Sequence, residues 1–410
     1  MKEPKISVGI LHADHIRFAL NTAYTVGSDE VKGEEEVSLI DGRISWRGVT
    51  YDELIFEPKE ASASFCLYDV VIGINFHWER KENQTFKGIL KFIIDEGTLC
   101  AVNILGVEDY LKCVISSEMS ATASLEFLKA HAVISRSWVL AQIRCKNHGT
   151  AENGMTSSSN DGDTIIKWYD HDAHQNFDVC ADDHCQRYQG ITRIKSQTAL
   201  EAIEATRGKV LMYGDDICDA RFSKCCGGMM EEFQNCWEDS PKPYLVAKRD
   251  AIGDSGDFCN TNDKSILSQV LNGYDQETAD FYRWTVRYTT DELSELVRRK
   301  SGIDFGRITD LIPIERGASD RLILLKIVGE KKTVTVGKEL EIRKWLSESH
   351  LYSSAFDVEK TTDGFILHGK GWGHGVGLCQ IGAAVMGSKG YRYDGILMHY
   401  YPNSEIKEIY

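Results

Sequence analysis

The chain has 410 residues, 42% hydrophobic and 27% charged, the make-up of an ordinary soluble globular protein with room for one elaborate domain or two to three cores. Its formal charge of −15, from 47 basic and 62 acidic side chains, argues against a nucleic-acid partner or an anionic membrane surface, while leaving room for a local cationic groove. No apolar run approaches a membrane span, and the opening "MKEPKISVGIL" has acid and proline where a signal sequence keeps an apolar stretch; either an export signal has been removed or the protein stays inside.

Residues 1–100 read as a β-rich N-terminal region. "ISVGIL", "VSLIDGRISWRG", "SFCLYDVVIGINFHW" and "FKGILKFIID" are short apolar runs broken by Gly, Asp and Asn. The texture changes in residues 101–410. "VEDYLKCVISSEM" and "SLEFLKAHAVISRSWVLAQIRC" have helical spacing; Leu125, Leu128, Ala132, Ser135 and Val139 mark a buried stripe, and Ser124 suits the N-cap. Residues 146–190 form a polar stretch too long for a plain connection. "SQTALEAIEATRGKVLMYG" predicts a helix ending at Gly208 and a strand after it. A β-rich subdomain spans about 284–358, with two amphipathic helices, "TTDELSELVRRKSG" and "GKELEIRKWL". The fold class is α+β, one compact body with subdomains.

Several residues carry chemistry. Glu118 falls in the junction between the two helices, where a carboxylate can project into a cleft; Lys129 and Arg136 stand two turns apart, roughly 10 Å along one face of the second helix. A carboxylate followed by two cations suits acid/base work on an oxygen-rich or anionic substrate, and equally describes a solvated surface. Near the C-terminus, "GKGWGHGVGLCQIGA" places glycines at 369, 371, 373, 375 and 377. A period of two is that of an extended strand, with one bare face and the other carrying Trp372 and His374. A glycine-rich loop at a tight crossing is the alternative.

The chain's twelve cysteines cluster. "HDAHQNFDVCADDHCQ" gathers His171, His174, Cys180, His184 and Cys185, a set with the nitrogen and sulfur donors that zinc prefers; a Cys180–Cys185 disulfide is the rival reading. Cys218, Cys225, Cys226 and Cys236 form a second group, which an oxidising compartment would allow to pair.

"EDYLKCVISSEMSATASLEFLKAHAVISRSWVLAQ" and "GKGWGHGVGLCQIGAAVMGSKGYRYDGILMHYYPNS" resemble, in order, the signature and C-terminal motif of the SpoIID/LytB family, with "ARFSKCCGGMMEE" and "PYLVAKRD" between them. The resemblance covers roughly 97–410 and implies a SpoIID-type catalytic core of mixed helices and antiparallel strands. It implies a lytic transglycosylase of the cell envelope that cleaves denuded peptidoglycan glycan strands between MurNAc and GlcNAc. Glu118 would be the acid/base, Lys129 and Arg136 would support activity, and Trp372, His374 and Gln380 would line the sugar groove. Some relatives hold structural zinc through a similar segment, which here implies His174, Cys180, His184 and Cys185. The alternative within the family is an amidase enhancer that grips peptidoglycan, or an N-acetylmuramoyl-L-alanine amidase, without cutting. Phe222 departs from the pattern, since many relatives carry an aromatic hydroxyl in that segment; the vicinal Cys225 and Cys226 are unusual too.

Overall fold

The computed structural model describes residues 2–73, 79–120, 122–147, 159–160, 162–169, 174–182, 184–194, 196–254, 256–270 and 280–410. The N-terminal strands alternate as their sequence does. In His15–Val26, Ile16, Phe18, Leu20 and Tyr24 are buried while His15, Arg17 and Asn21 face solvent. This strand pairs antiparallel with Asp29–Ile40 in an eleven-stranded sheet, in which Thr98–Gly106 lies between Lys5–Ala13 and Ile89–Asp95. Phe18, Phe56 and Phe92 pack ring against ring, their centroids 5.1 to 6.0 Å apart. The expected β-rich region is present, and its last strand runs on to Gly106.

Eight helices occur among the described residues: α1 (Val107–Glu118), α2 (Leu125–Asn147), α3 (Gln197–Ala205), α4 (Lys264–Val270), α5 (Thr290–Ser301), α6 (Glu339–Trp345), α7 (Gln380–Ser388) and α8 (Tyr393–Tyr400). Local chemistry sets several ends. The hydroxyl of Ser124 accepts from Phe127 N at 3.4 Å, and that of Ser196 accepts from Ala199 N at 3.2 Å. Helix α5 opens on a capping box of Thr289 and Glu292 and stops at Gly302, φ +72°.

Helix α2 differs from its sequence reading. Instead of one buried stripe, every residue from Phe127 to Gln142 except Lys129 is buried. The helix is enclosed by α1, α3, α7, α8 and the strand Lys209–Tyr213. Small residues on it let these neighbours approach closely. Ser137 Oγ donates to Val133 O (2.7 Å) and accepts from Leu211 N (2.8 Å), joining helix to strand.

A second core lies in residues 283–370. Two sheets, Arg283–Thr289 with Gly364–Lys370 and Phe356–Lys360, and Ile308–Arg316 with Leu322–Gly329 and Thr333–Gly337, combine with α5 and α6 around Trp284, Leu293, Leu325 and Trp345. The long polar stretch touches both cores. Thr164–Ile166 adds to Thr333–Gly337, and Val179–Cys180 adds to Lys5–Ala13 through Val8 and Gly9. No helix among the described residues is long and apolar enough to cross a membrane.

Candidate active site

Glu118 is the last residue of α1, and Met119 turns the chain extended at φ −114°, ψ 151°. The junction is tied down from α4: Gln269 O accepts from Ser120 N and Gln269 Oε1 from Ser124 N, both at 3.1 Å. Glu118 itself is partly buried. Arg187 N donates to Glu118 Oε1 at 3.0 Å, and Gln189 N donates to Ser117 Oγ at 3.3 Å. The segment after the His/Cys loop is thereby bonded along the end of α1, a contact that sequence reading did not foresee.

Both expected cations pair with other carboxylates. Arg136 is fully buried, and its guanidinium grips Glu108 with two bonds of 2.9 and 2.8 Å and Lys209 O with a third of 3.0 Å. Glu108 also accepts from Tyr410 OH (2.7 Å) and Gly208 N (3.2 Å). Arg136 is therefore a core residue, corrected from a substrate contact. The reason is that α2 has no exposed face at that turn. Lys129, the partly exposed exception, pairs with Glu126 at 2.7 Å. Other basic side chains approach the site from the segment containing Phe222. Lys224 Nζ donates to Val270 O at 2.5 Å, beside the Gln269 that anchors the junction, and Arg221 is close enough to Cys185 to affect its ionisation. The sequence signal for both was the pair of cations flanking Phe222.

The glycine-rich stretch is not an extended strand. The strand Gly364–Lys370 ends where the alternation begins, and Gly371, Gly373, Gly375 and Gly377 all take positive φ, between +71° and +89°. This strap is threaded past Ser223, Cys225, Cys226 and Arg321. A Cβ on Gly371 would stand 2.8 Å from Cys225 O, and one on Gly375 would stand 2.4 Å from the Arg321 guanidinium. The missing side chains do make room for another segment, as expected, but through left-handed turns. Arg321, almost fully buried, donates to Gly373 O at 3.0 and 3.1 Å and to Cys226 O at 3.2 Å.

Trp372 leans on Phe281 and Tyr352, with centroids 4.9 and 4.8 Å away, and exchanges backbone bonds with Cys225. His374 accepts from Val376 N at 3.0 Å and meets Trp237 edge-on. Burial first, and then the charges of Arg221, Arg321 and Arg343, push its imidazole well below the ordinary value, so it is neutral. Gln380 is also corrected: it is buried at the start of α7, with Nε2 3.2 Å from His131 Nε2, and links α7 to α2 instead of facing a groove. Burial, with Lys224 nearby, pushes His131 down to about 3. Phe222 meets that ring edge-on at 4.8 Å.

His174, Cys180, His184 and Cys185 come together, their ligand atoms all within 4.8 Å of one another; His171 lies outside the described residues. Cys180 is fixed by the N-terminal sheet, and Cys185 by a turn onto Asp182. Hydrogen bonding from Cys185 pushes the Cys180 thiol down, against burial and with help from His174 and His184. Two imidazoles and two sulfurs, one already favouring thiolate, fit a structural zinc ion. None of the eleven described cysteines is joined in a disulfide.

Residues 95–213 match the family model described as Stage II sporulation protein. Aligned relatives bear matching names: stage II sporulation protein D of Bacillus subtilis is 25% identical over 310 residues, covering 75% of this chain and 76% of that protein. The chain is thus similar to the SpoIID/LytB family over that segment. The amidase enhancer of Bacillus subtilis is 26% identical over 323 residues, 72% of this chain and 40% of that protein. An uncharacterized protein of Brachyspira hyodysenteriae is 27% identical over 376 residues, 91% of this chain and 82% of that protein. Residues 231–377 match a domain of unknown function, DUF8618, so the glycine strap lies in a segment with its own family model. These names support a cell-wall-related function.

Proposed function

We propose that the chain is an extracytoplasmic lytic transglycosylase that cleaves denuded peptidoglycan strands between MurNAc and GlcNAc, with Glu118 as the only acid/base. The observation that carries this reading is the placement of Glu118: a partly buried carboxylate at a helix end, oriented by a backbone N–H from Arg187. Most glycosidases need two carboxylates, because water or the enzyme attacks the anomeric carbon. In this reaction the muramic C6 hydroxyl attacks instead and closes a 1,6-anhydro ring. An intramolecular nucleophile has an effective molarity of ~10⁵ M or more, so one carboxyl group is enough. Glu118 protonates the departing glycosidic oxygen and takes the C6 proton, a contribution of ~10²–10⁴-fold. Arg136 and Lys129 are held by Glu108 and Glu126, so neither is assigned to the lactyl carboxylate. Zinc at His174, Cys180, His184 and Cys185 would fix the fold of the loop that carries the Arg187 N–H.

The second reading, a glycan-binding amidase enhancer, is supported by the name of one relative, of which this chain covers 40%. Mass spectrometry of products from denuded glycan separates the two. The parent is expected to release 1,6-anhydro ends while Glu118→Gln, an isosteric change, binds glycan and releases none. Binding without products from the parent supports the enhancer and overturns the enzyme.

A further inference from the structure

We propose a second metal site, for zinc or another thiophilic divalent ion, formed by Cys226, Cys259, Cys379 and Asp250. These residues are fully or almost fully buried, and their ligand atoms all lie within 4.8 Å of one another. They come from three separate stretches of chain. Phe222–Ser223 pairs in parallel with Leu378–Cys379, which brings Cys226 to Cys379, while Asp250 and Cys259 close a loop beneath them. Cys226 Sγ stands 3.6 Å from Cys259 Sγ. Two thiolates on a tetrahedral ion with 2.3 Å bonds are separated by roughly 3.8 Å, so this spacing is that of co-ligands.

The surroundings point the same way. Cys226 N donates to Cys379 Sγ at 3.2 Å, and Cys379 is the N-cap of α7, where a helix favours an anion. Asp250 is the second, independent sign. Its oxygens accept from Tyr400 OH (2.7 Å) and Cys259 N (3.0 Å), and its one ion-pair contact among the described residues is His399 Nε2, at 3.6 Å. A fully buried carboxylate with no Lys or Arg ion pair among the described residues calls for another positive charge, which a divalent ion would supply. Room for the carboxylate is kept by Gly382, where a Cβ would stand 2.6 Å from Asp250 Oδ2. The ion would staple the segment beneath the glycine strap to the start of α7, and so fix Gln380 against His131. This role is structural and is independent of whether the chain cleaves glycan.

The test is metal content and spectrum in the full chain, purified without chelator and reloaded with zinc or cobalt(II). The parent is expected to hold two equivalents. Cys180→Ser/Cys185→Ser, which disables the His/Cys loop, is expected to keep one, and cobalt(II) in that variant should give thiolate charge-transfer and tetrahedral visible bands. Adding Cys226→Ser/Cys259→Ser should remove them. If this last variant does not fold, the count and spectrum of the first two still decide. The proposal is overturned if the Cys180→Ser/Cys185→Ser variant holds no metal, or if peptide mapping by mass spectrometry shows the Cys226–Cys259 pair oxidised to a disulfide.

Discussion

Glu108→Gln tests whether Arg136 belongs to the core. The substitution keeps the shape of the side chain and removes one charge, leaving a guanidinium with no exposed surface beside a neutral amide. Breaking one side of a buried pair costs about 3–5 kcal/mol. With an unfolding entropy of about 2.1 cal/mol/K per residue over a chain of this length, that becomes a fall of roughly 3–6 °C in Tm. Arg136→Met should cost a similar amount, and a double variant with Leu at 108 should recover part of it. Differential scanning calorimetry of the three proteins beside the parent reads this out. The pH dependence follows. Burial raises the Glu108 carboxyl, but the hydrogen bonds and charge of Arg136, with Tyr410 and Gly208, outweigh it and hold the group below its usual range. A depressed folded pKa means that this stabilisation is present above the unfolded value of about 4.3 and is lost as pH falls through the folded one. Glu108→Gln should flatten that acid limb. The reasoning is refuted if Arg136→Met melts with the parent yet loses glycan cleavage, the result expected of a substrate contact.

Two further outcomes follow from the strap and the loop. Gly375→Ala combines a positive φ with a Cβ 2.4 Å from a guanidinium held by several hydrogen bonds, whereas Gly302→Ala has positive φ but open space around it. The first should lose ~1–3 kcal/mol more than the second in urea melts, and equal losses would mean that the strap is not packed against Arg321. At the His/Cys loop, Cys180→Ser should speed proteolytic cleavage within 181–189 and slow any glycan cleavage together, because the same segment carries the Arg187 N–H bonded to Glu118. Unchanged proteolysis would remove the stapling role.

How much could be read without coordinates depended on how far apart the partners lie. Ser124 as a cap, the helix expected to end at Gly208, which stops at Ala205, and the two amphipathic helices of the second core were legible, because each is settled within a turn or two of helix. The His/Cys cluster was legible for the same reason, its four donors falling between residues 174 and 185. Glu118 was legible as a junction carboxylate, but its N–H donor, 69 positions away, was not. Arg136 was misplaced because periodicity shows where one apolar face lies and not whether other elements cover the rest; α1, α3, α7 and α8 enclose it. The glycines announced a close approach, while the left-handed path and its cause, Arg321, came only from packing. Cys226 and Cys379 stand 153 positions apart, and only the pairing of two short strands brings them together. Capping and turn preferences act over a few bonds and are written locally; burial and charge pairing are properties of the space between segments, and tertiary structure decides them.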